Sequence, residues 1–296
     1  MRSLLFVPAD GGRKLDKAMA SGADAVIVDL EDSIAPEAKG SARRSAADFL
    51  KSATQAADRP RLLVRVNGLD TGLIDEDLDA IVASRPDAIM LPKAEGGPSV
   101  ILADAKLAVR EAIAGIADGE IGIVAIATET AGSLFAMGTY RDASERLLGL
   151  TWGAEDLSAE LGAEANRDAN GRFLDPYRVA RALCLAGAAS AQIPAYDTVT
   201  VDFRNAEALR REAQEARRDG FTGKMAIHPA QVDIINEVFT PSSAALAKAR
   251  AIVAAFESQP GKGTVAVEGV MHDRPHLARA QRLLARANET TRLRSE

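Results

Sequence analysis

Two short stretches carry the residue types from which a site could be built. In LLGLTWGAEDL, residues 147–157, an apolar run from Leu147 to Leu150 stops at Thr151-Trp152-Gly153, and adjacent carboxylates follow at Glu155 and Asp156. Earlier, IGIVAI at 121–126 runs into Ala127-Thr128-Glu129-Thr130. Two carboxylates, each just past the C-terminal end of a buried strand, can converge on one divalent cation. Hard cations take oxygen ligands, and Mg²⁺ keeps several waters while using one or two carboxylates plus substrate oxygens. The chain has 1 cysteine and 3 histidines, none in metal-ligand spacing, which argues against zinc. An open Mg²⁺ site on Glu129 and Asp156 is the simplest metal site this sequence can build, with Mn²⁺ as the substitute ion.

Arg65 ends the run LLVRVN inside an otherwise apolar strand. A charge placed there needs an anionic partner, because an unpaired buried charge is costly. Two partners are open: a carboxylate on a neighbouring strand, as a structural bridge, or a substrate carboxylate or oxyanion that suits the planar fork. Lys93 in MLPKAE is expected to join a network with the acids at positions 29 to 32. His228 in AIHPAQ ends the last apolar run and reads as a helix-entry residue bonded to backbone. Cys184, in RALCLAGAA, reads as inert core.

These residues need a scaffold that places strand ends together. Short apolar runs recur at Leu4–Val7, Ala25–Val28, Leu62–Val66, Ala88–Leu91, Ile121–Ile126, Leu147–Leu150, weakly near Gln192–Ile193, and at Met225–Ile227. Between them lie amphipathic stretches such as Arg43–Ala56, Ser99–Ala114, Pro176–Ala189 and Asn205–Arg218. Alternating strand and helix implies a parallel sheet, and eight such units imply an α/β fold of the (β/α)8 TIM-barrel type over residues 1–240. The polar residues after the runs are Asp10; Asp29, Glu31 and Asp32; Arg65 and Asn67; Lys93; Glu129; Glu155 and Asp156; Asp197; and His228. A barrel builds its active site where its strands end, so this rim is loaded with charge.

Residues 241–296 lie beyond an eightfold barrel. They read as a helix over Ala244–Glu257, a breaker cluster at Gln259-Pro-Gly-Lys-Gly, one strand over Thr264–Met271 and a basic helix over Arg274–Ala287. A single strand there has no sheet partner of its own, so this helix/β arm is expected to pack back as a lid or to reach a neighbouring subunit. The net charge of -6 argues against nucleic acid or an anionic membrane as partner. With no apolar run of membrane-spanning length and no pair of cysteines, a cytoplasmic protein is expected.

RSLLFVPAD, GADAVIVDLEDSIAP, LLVRVNGLDT, AIMLPKAE, ATETAGSLF, WGAEDLSAELG and GKMAIHPAQVDIINEVFTPS, in this order, resemble the citrate lyase beta-subunit-like members of the HpcH/HpaI aldolase family. VEGVMHDRPHLARAQRLL resembles the family's C-terminal arm. The resemblance implies that Glu129 and Asp156 hold Mg²⁺ and that Arg65 binds substrate. It places Glu31 and Asp32 on the same rim, where Glu31 joins the catalytic residues and Asp32 and Lys93 join Glu129 and Arg65 around the substrate. It also implies that Asp273 of MHDRP acts in a neighbouring subunit's site, in a homotrimer or a multiple of one. Departures fall on the same rim: PAD where Pro-Gly is usual, Ala-Gly-Ser after Glu129, and Trp152 where another apolar residue is frequent.

The implied reaction is carbon–carbon cleavage, or its reverse, of a 3-hydroxy-3-carboxyacyl thioester of malyl-, citramalyl- or citryl-CoA type. Its products are a 2-oxo acid and acetyl-CoA or a related acyl-CoA. Two other readings use the same residues. One is a malyl-CoA-type thioesterase. The other is the lyase subunit of a citrate lyase complex, serving an acyl carrier protein.

Overall fold

The computed structural model describes the backbone of residues 1–292 and the side chains of residues 1–287. Eight strands close into a parallel barrel in sequence order: β1 (Ser3–Pro8), β2 (Ala25–Asp29), β3 (Arg61–Arg65), β4 (Ala88–Leu91), β5 (Gly122–Ile126), β6 (Leu147–Thr151), β7 (Ala195–Asp197) and β8 (Gly223–Ala226). The helices between them are α1 (Arg13–Met19), α2 (Lys39–Ala53), α3 (Ile74–Ile81), α4 (Gly97–Ala114), α5 (Ala154–Glu160), α6 (Asp175–Ser190) and α7 (Ala206–Asp219), with α8 (Val232–Phe239) after β8. The alternation read from the sequence is the (β/α)8 barrel.

Strand side chains alternate between barrel interior and helix layer. Leu4, Ala25, Ile27, Leu63, Ala88, Met90, Val124, Ile126, Tyr196 and Met225 fill the interior. The same parity carries the residue after Ile27, two along, to Asp29, and the residue two beyond Leu63 to Arg65. Register pairs Asp29 with Arg65 directly across β2 and β3. The strand pattern thus stacks a charged pair on top of an apolar plug, at the C-terminal mouth where barrel sites form.

The seventh strand begins later than the apolar pair Gln192–Ile193 suggested. Gln192 has φ 59, and the Ile193 amide bonds back to the Ala188 carbonyl, so both residues finish α6 as a left-handed cap. Pro194 follows, and the strand starts at Ala195.

The contacts divide the chain into one compact unit of residues 1–237 and a second from Val238 onward. In the second, α9 (Ser243–Glu257) starts at Ser242, whose hydroxyl accepts from the Ala245 amide at 3.2 Å. The expected single strand over Thr264–Met271 is a hairpin. β9 (Thr264–Val267) and β10 (Val270–Asp273) pair antiparallel, with Val267 opposite Val270 and Thr264 opposite Asp273. Glu268 and Gly269 both have positive φ, 51° and 77°, as a two-residue turn of this hand requires. The strand expected to lack a partner therefore has one within its own chain. Helix α10 (Arg274–Arg292) follows, and Ala249, Ile252, Phe256, Val265 and Ala280 form a small core.

Closure of the barrel is sterically strict at one residue. A Cβ on Gly223 would lie 2.5 Å from the carbonyl oxygens of both Met1 and Arg2, and the Arg2 carbonyl also accepts from the Lys224 amide at 2.8 Å. Backbone on both sides cannot yield without breaking the β1–β8 seam. Gly223→Ala is expected to destabilise by about 2 kcal/mol or more, at the upper part of overpacking costs. A denaturant titration giving a wild-type midpoint would show that the seam can open to admit the methyl group.

Candidate active site at the barrel mouth

Asp29 organises the first half of the site. Its two carboxylate oxygens accept from Arg65 Nε at 2.7 Å and Nη2 at 2.6 Å, the bidentate geometry that arginine favours. Oδ1 also accepts from the Glu31 amide at 2.9 Å, which sets the turn that presents Glu31 and Asp32. Burial would push the Asp29 carboxyl up, but the Arg65 bonds and charge more than offset it and hold it below the usual range. The remaining corner of the fork, Nη1, meets Glu31 Oε2 at 2.7 Å and Asp32 Oδ2 at 3.4 Å. The Glu31 contact lies off the N–H axes, so this buried oxygen has an ion contact without a hydrogen bond. The Phe6 ring lies 5.0 Å under the guanidinium.

Lys93 organises the second half. Its backbone sits at φ 49°, a left-handed conformation that a residue with a side chain adopts only at a cost. That conformation lets one residue serve two acids. Its amide donates to Glu129 Oε2 at 2.6 Å, and its ammonium reaches Glu31 Oε1 at 2.5 Å and Asp156 Oδ1 at 3.3 Å, with Asp32 Oδ1 at 3.9 Å. Burial alone would lower the Lys93 ammonium, but Glu31, Glu129 and Asp156 together raise it, so it remains a cation.

Glu129 is 4% exposed, and no arginine among the described residues pairs with it. Burial, and then the charge of Asp156, push its carboxyl up to about 8. Gly153 makes room for it, because a Cβ there would lie 2.7 Å from Glu129 Cγ. Asp156 sits in the first turn of α5, where the helix N-terminus favours an anion. Burial, opposed by Arg65 and Lys93, likewise leaves Glu31 above the usual carboxylate range. The cluster is thus short of positive charge where Glu129 and Asp156 face each other.

The structure brings Arg65, Glu31, Asp32, Lys93, Glu129 and Asp156 into one cluster, and the expected Lys93 network with the acids at 31 and 32 is present. Of the two partners considered for Arg65, the structure shows carboxylates: Asp29 is a neighbouring-strand bridge, and Glu31 and Asp32 lie on Nη1. Glu155 turns to another partner, accepting from Asn166 Nδ2 at 2.8 Å. Asp273 belongs to the second compact unit, where His276 is its partner. His228 caps a short turn as expected, its Nδ1 accepting from the Ala230 amide at 3.1 Å.

Asp197 is not a residue of this cluster. Tyr196 takes the interior position, so Asp197 faces the helix layer. There it binds Lys224 Nζ at 2.9 Å, Arg181 Nε of α6 at 3.2 Å and the Trp152 indole N–H at 2.9 Å. The sequence reading missed Lys39. Its ammonium donates to the carbonyls of Leu30 and Glu31 at 2.7 and 2.8 Å and to Asn67 Oδ1 at 2.7 Å, tying the loops after β2 and β3 together. A lysine on the first residue of a helix opposes the helix dipole, and that was the available signal.

A closed eight-stranded barrel with its titratable groups gathered at the C-terminal mouth is the framework of a barrel enzyme. The profile of the HpcH/HpaI aldolase/citrate lyase family matches residues 2–229. A citrate lyase subunit beta-like protein of Mycobacterium tuberculosis is 37% identical over 287 residues, covering 97% of this chain and 96% of that protein. A (3S)-malyl-CoA thioesterase of Cereibacter sphaeroides is 35% identical over 298 residues, covering 99% and 97%. The crystal structure of CitE from M. tuberculosis, in complex with magnesium, acetoacetate and coenzyme A, superposes with a TM-score of 0.76 at 35% identity, covering 97% of this chain and 98% of that one. The chain belongs to the HpcH/HpaI aldolase/citrate lyase family. Among the described residues, no helix is long and apolar enough to cross a membrane.

The raised Glu129 carboxyl has a consequence for stability. A folded-state value above the ordinary 4.5 penalises the folded protein wherever the group must ionise. The penalty is absent below that ordinary value, grows as pH rises through the window up to about 8, and is complete above it. Glu129→Gln, in chelator, is therefore expected to melt above wild type at pH about 8.5, by an amount on the order of a few kcal/mol, and to match it near pH 4.5. A Gln variant that is no more stable than wild type at the alkaline end would show that Glu129 is not the strained acid.

Proposed function

We propose that the chain is a Mg²⁺-dependent carbon–carbon lyase acting on 3-hydroxy-3-carboxyacyl thioesters of CoA, releasing a 2-oxo acid and an acyl-CoA. The observation that carries the proposal is the pair Glu129 and Asp156, two carboxylates at strand ends whose mutual repulsion no arginine relieves. Their oxygens are the donor set a hard cation takes, and one or two carboxylates are what an open Mg²⁺ site uses. The M. tuberculosis relative bound to magnesium and coenzyme A supports the same reading.

Glu129 and Asp156 would hold the ion, which lowers the pKa of a bound hydroxyl and polarises bound oxygens. The protein's residues do the rest. Arg65, clamped by Asp29 on two of its nitrogens, would turn Nη1 from Glu31 and Asp32 to the substrate carboxylate or to the developing oxyanion, a contribution of roughly 3 kcal/mol or more for one well-placed donor. Glu31 has a buried oxygen without a hydrogen bond and a raised carboxyl, so it is suited to take the hydroxyl proton as the carbon–carbon bond opens. Lys93 holds Glu129 with its amide and balances Glu31 and Asp156 with its ammonium, keeping the acids in place around substrate that Asp32 borders. Asp273, from a neighbouring subunit of a homotrimer or its multiple, delivers a proton to the enolate carbon of the departing acyl-CoA. The single buried cysteine suits a reducing compartment, and we place the enzyme in the cytoplasm on that ground.

Similarity to the (3S)-malyl-CoA thioesterase favours one second reading, in which water attacks the thioester carbonyl at the same site. Products separate the two. Incubated with malyl-, citramalyl- and citryl-CoA and Mg²⁺, the lyase yields a 2-oxo acid and acetyl-CoA by mass spectrometry. A thioesterase yields free CoA and an intact hydroxy acid, and that result alone would overturn the lyase assignment. In the same assay Arg65→Lys is expected to lose about a hundredfold in turnover, because an ammonium cannot hold Asp29 and still present a donor at the mouth. Wild-type turnover in that variant would remove Arg65 from the mechanism.

A further inference from the structure

We propose that His276 is the proton-holding partner of Asp273, so that the second unit contributes an Asp–His pair rather than a lone carboxylate; this rests on the role given to Asp273 above. The pair sits where β10 passes into α10. Asp273 is the residue before the helix and His276 the third within it. Asp273 Oδ1 accepts from the His276 amide at 3.4 Å, and the Asp273 amide donates to His276 Nδ1 at 3.3 Å. This reciprocal arrangement is a capping box, for which Glu or Gln is the usual third residue. A helix start alone would not ask for histidine.

The imidazole does something a Gln could not. His276 Nδ1 is also in direct contact with Asp273 Oδ1. One nitrogen cannot serve both partners in one state. Accepting from the Asp273 amide needs a bare lone pair on Nδ1, whereas facing a carboxylate oxygen needs a proton between them. The two contacts belong to two proton positions, and the pair passes from one to the other without moving a heavy atom. Imidazole is the side chain that holds and releases a proton near neutrality.

The surroundings fit this use. His272 packs edge-on against the His276 ring at 5.1 Å, and its own buried nitrogens have no hydrogen-bond partner among the described residues. The described bonds to the Asp273 carboxyl fall on Oδ1, which leaves Oδ2 for a reactant. The two side chains are 45% and 42% exposed, open enough to be approached. The hydrogen bond from His276 also holds the Asp273 carboxyl below the usual range.

In the cleavage direction the Nδ1–H bond of His276 breaks, its electron pair stays on nitrogen, and the proton passes to the Asp273 carboxylate. Asp273 then gives that proton to the thioester enolate, whose electron pair forms the new C–H bond, and the carboxylate is left ionised as before. Solvent reprotonates the ring, while the proton taken from the substrate hydroxyl by Glu31 returns to solvent.

His276→Gln preserves the capping box and removes the proton store. With Mg²⁺ and whichever of malyl- or citramalyl-CoA the product assay shows to turn over, this variant is expected to melt with wild type, keep its KM, and lose at least tenfold in kcat. His276→Ala is expected to regain part of its kcat when free imidazole is added. A His276→Gln enzyme with wild-type kcat would overturn the proposal and leave His276 a helix cap. Asp273→Asn is assayed in parallel: full activity there would strike the role of Asp273 itself, a failure separate from that of His276.

Discussion

The mouth of this barrel holds more negative charge than its own cations can neutralise. Asp29, Glu31, Asp32, Glu129 and Asp156 share Arg65 and Lys93. The sharing is uneven, because geometry assigns the arginine to Asp29 by strand register and the lysine chiefly to Glu31. What is left over falls on Glu129, the most deeply buried of the acids that lacks an arginine. Removing a carboxylate from water without a full counter-charge is expensive, and the protein meets the cost by raising the proton affinity of that group. We propose that one more cation completes this site.

Such a cluster can exist only on a rigid support. Beneath it lies the apolar plug of the barrel. Beside it a second polar network fixes the loops: Lys39 bonds the carbonyls of Leu30 and Glu31, and both the amide and the side chain of Asn67 donate to Asp77 Oδ2 at 2.7 Å. Arg43 closes that network on Asp77 and Glu76. Every charged member has partners, which is the condition under which a buried polar network orders a structure rather than loosening it. The left-handed backbone at Lys93 is the local strain this support sustains.

Much of this was legible in the sequence, for physical reasons. The strand and helix periods predicted the barrel, and acids following apolar runs marked Glu31, Glu129 and Asp156 because a parallel barrel gathers its strand ends. Arg65 stood out because an apolar strand does not carry a charge without a partner. The organising role of Asp29 was hidden, since register between β2 and β3 is not written in either strand alone. Lys39 was hidden because a helix-start lysine acquires meaning only when two loops fold over it. Asp197 was placed with the site because its parity depended on a strand whose start lay beyond a helix cap. The hairpin of the second unit was read as one strand because Glu-Gly is a weaker turn signal than Asn-Gly or Asp-Gly.

The central claim, that the Glu129–Asp156 pair holds a divalent cation, is tested most directly by calorimetric titration of Mg²⁺ into the chelator-stripped protein without substrate. One ion per chain is expected for wild type, with at least tenfold weaker binding for both Glu129→Gln and Asp156→Asn. Wild-type Mg²⁺ affinity in both variants would contradict it.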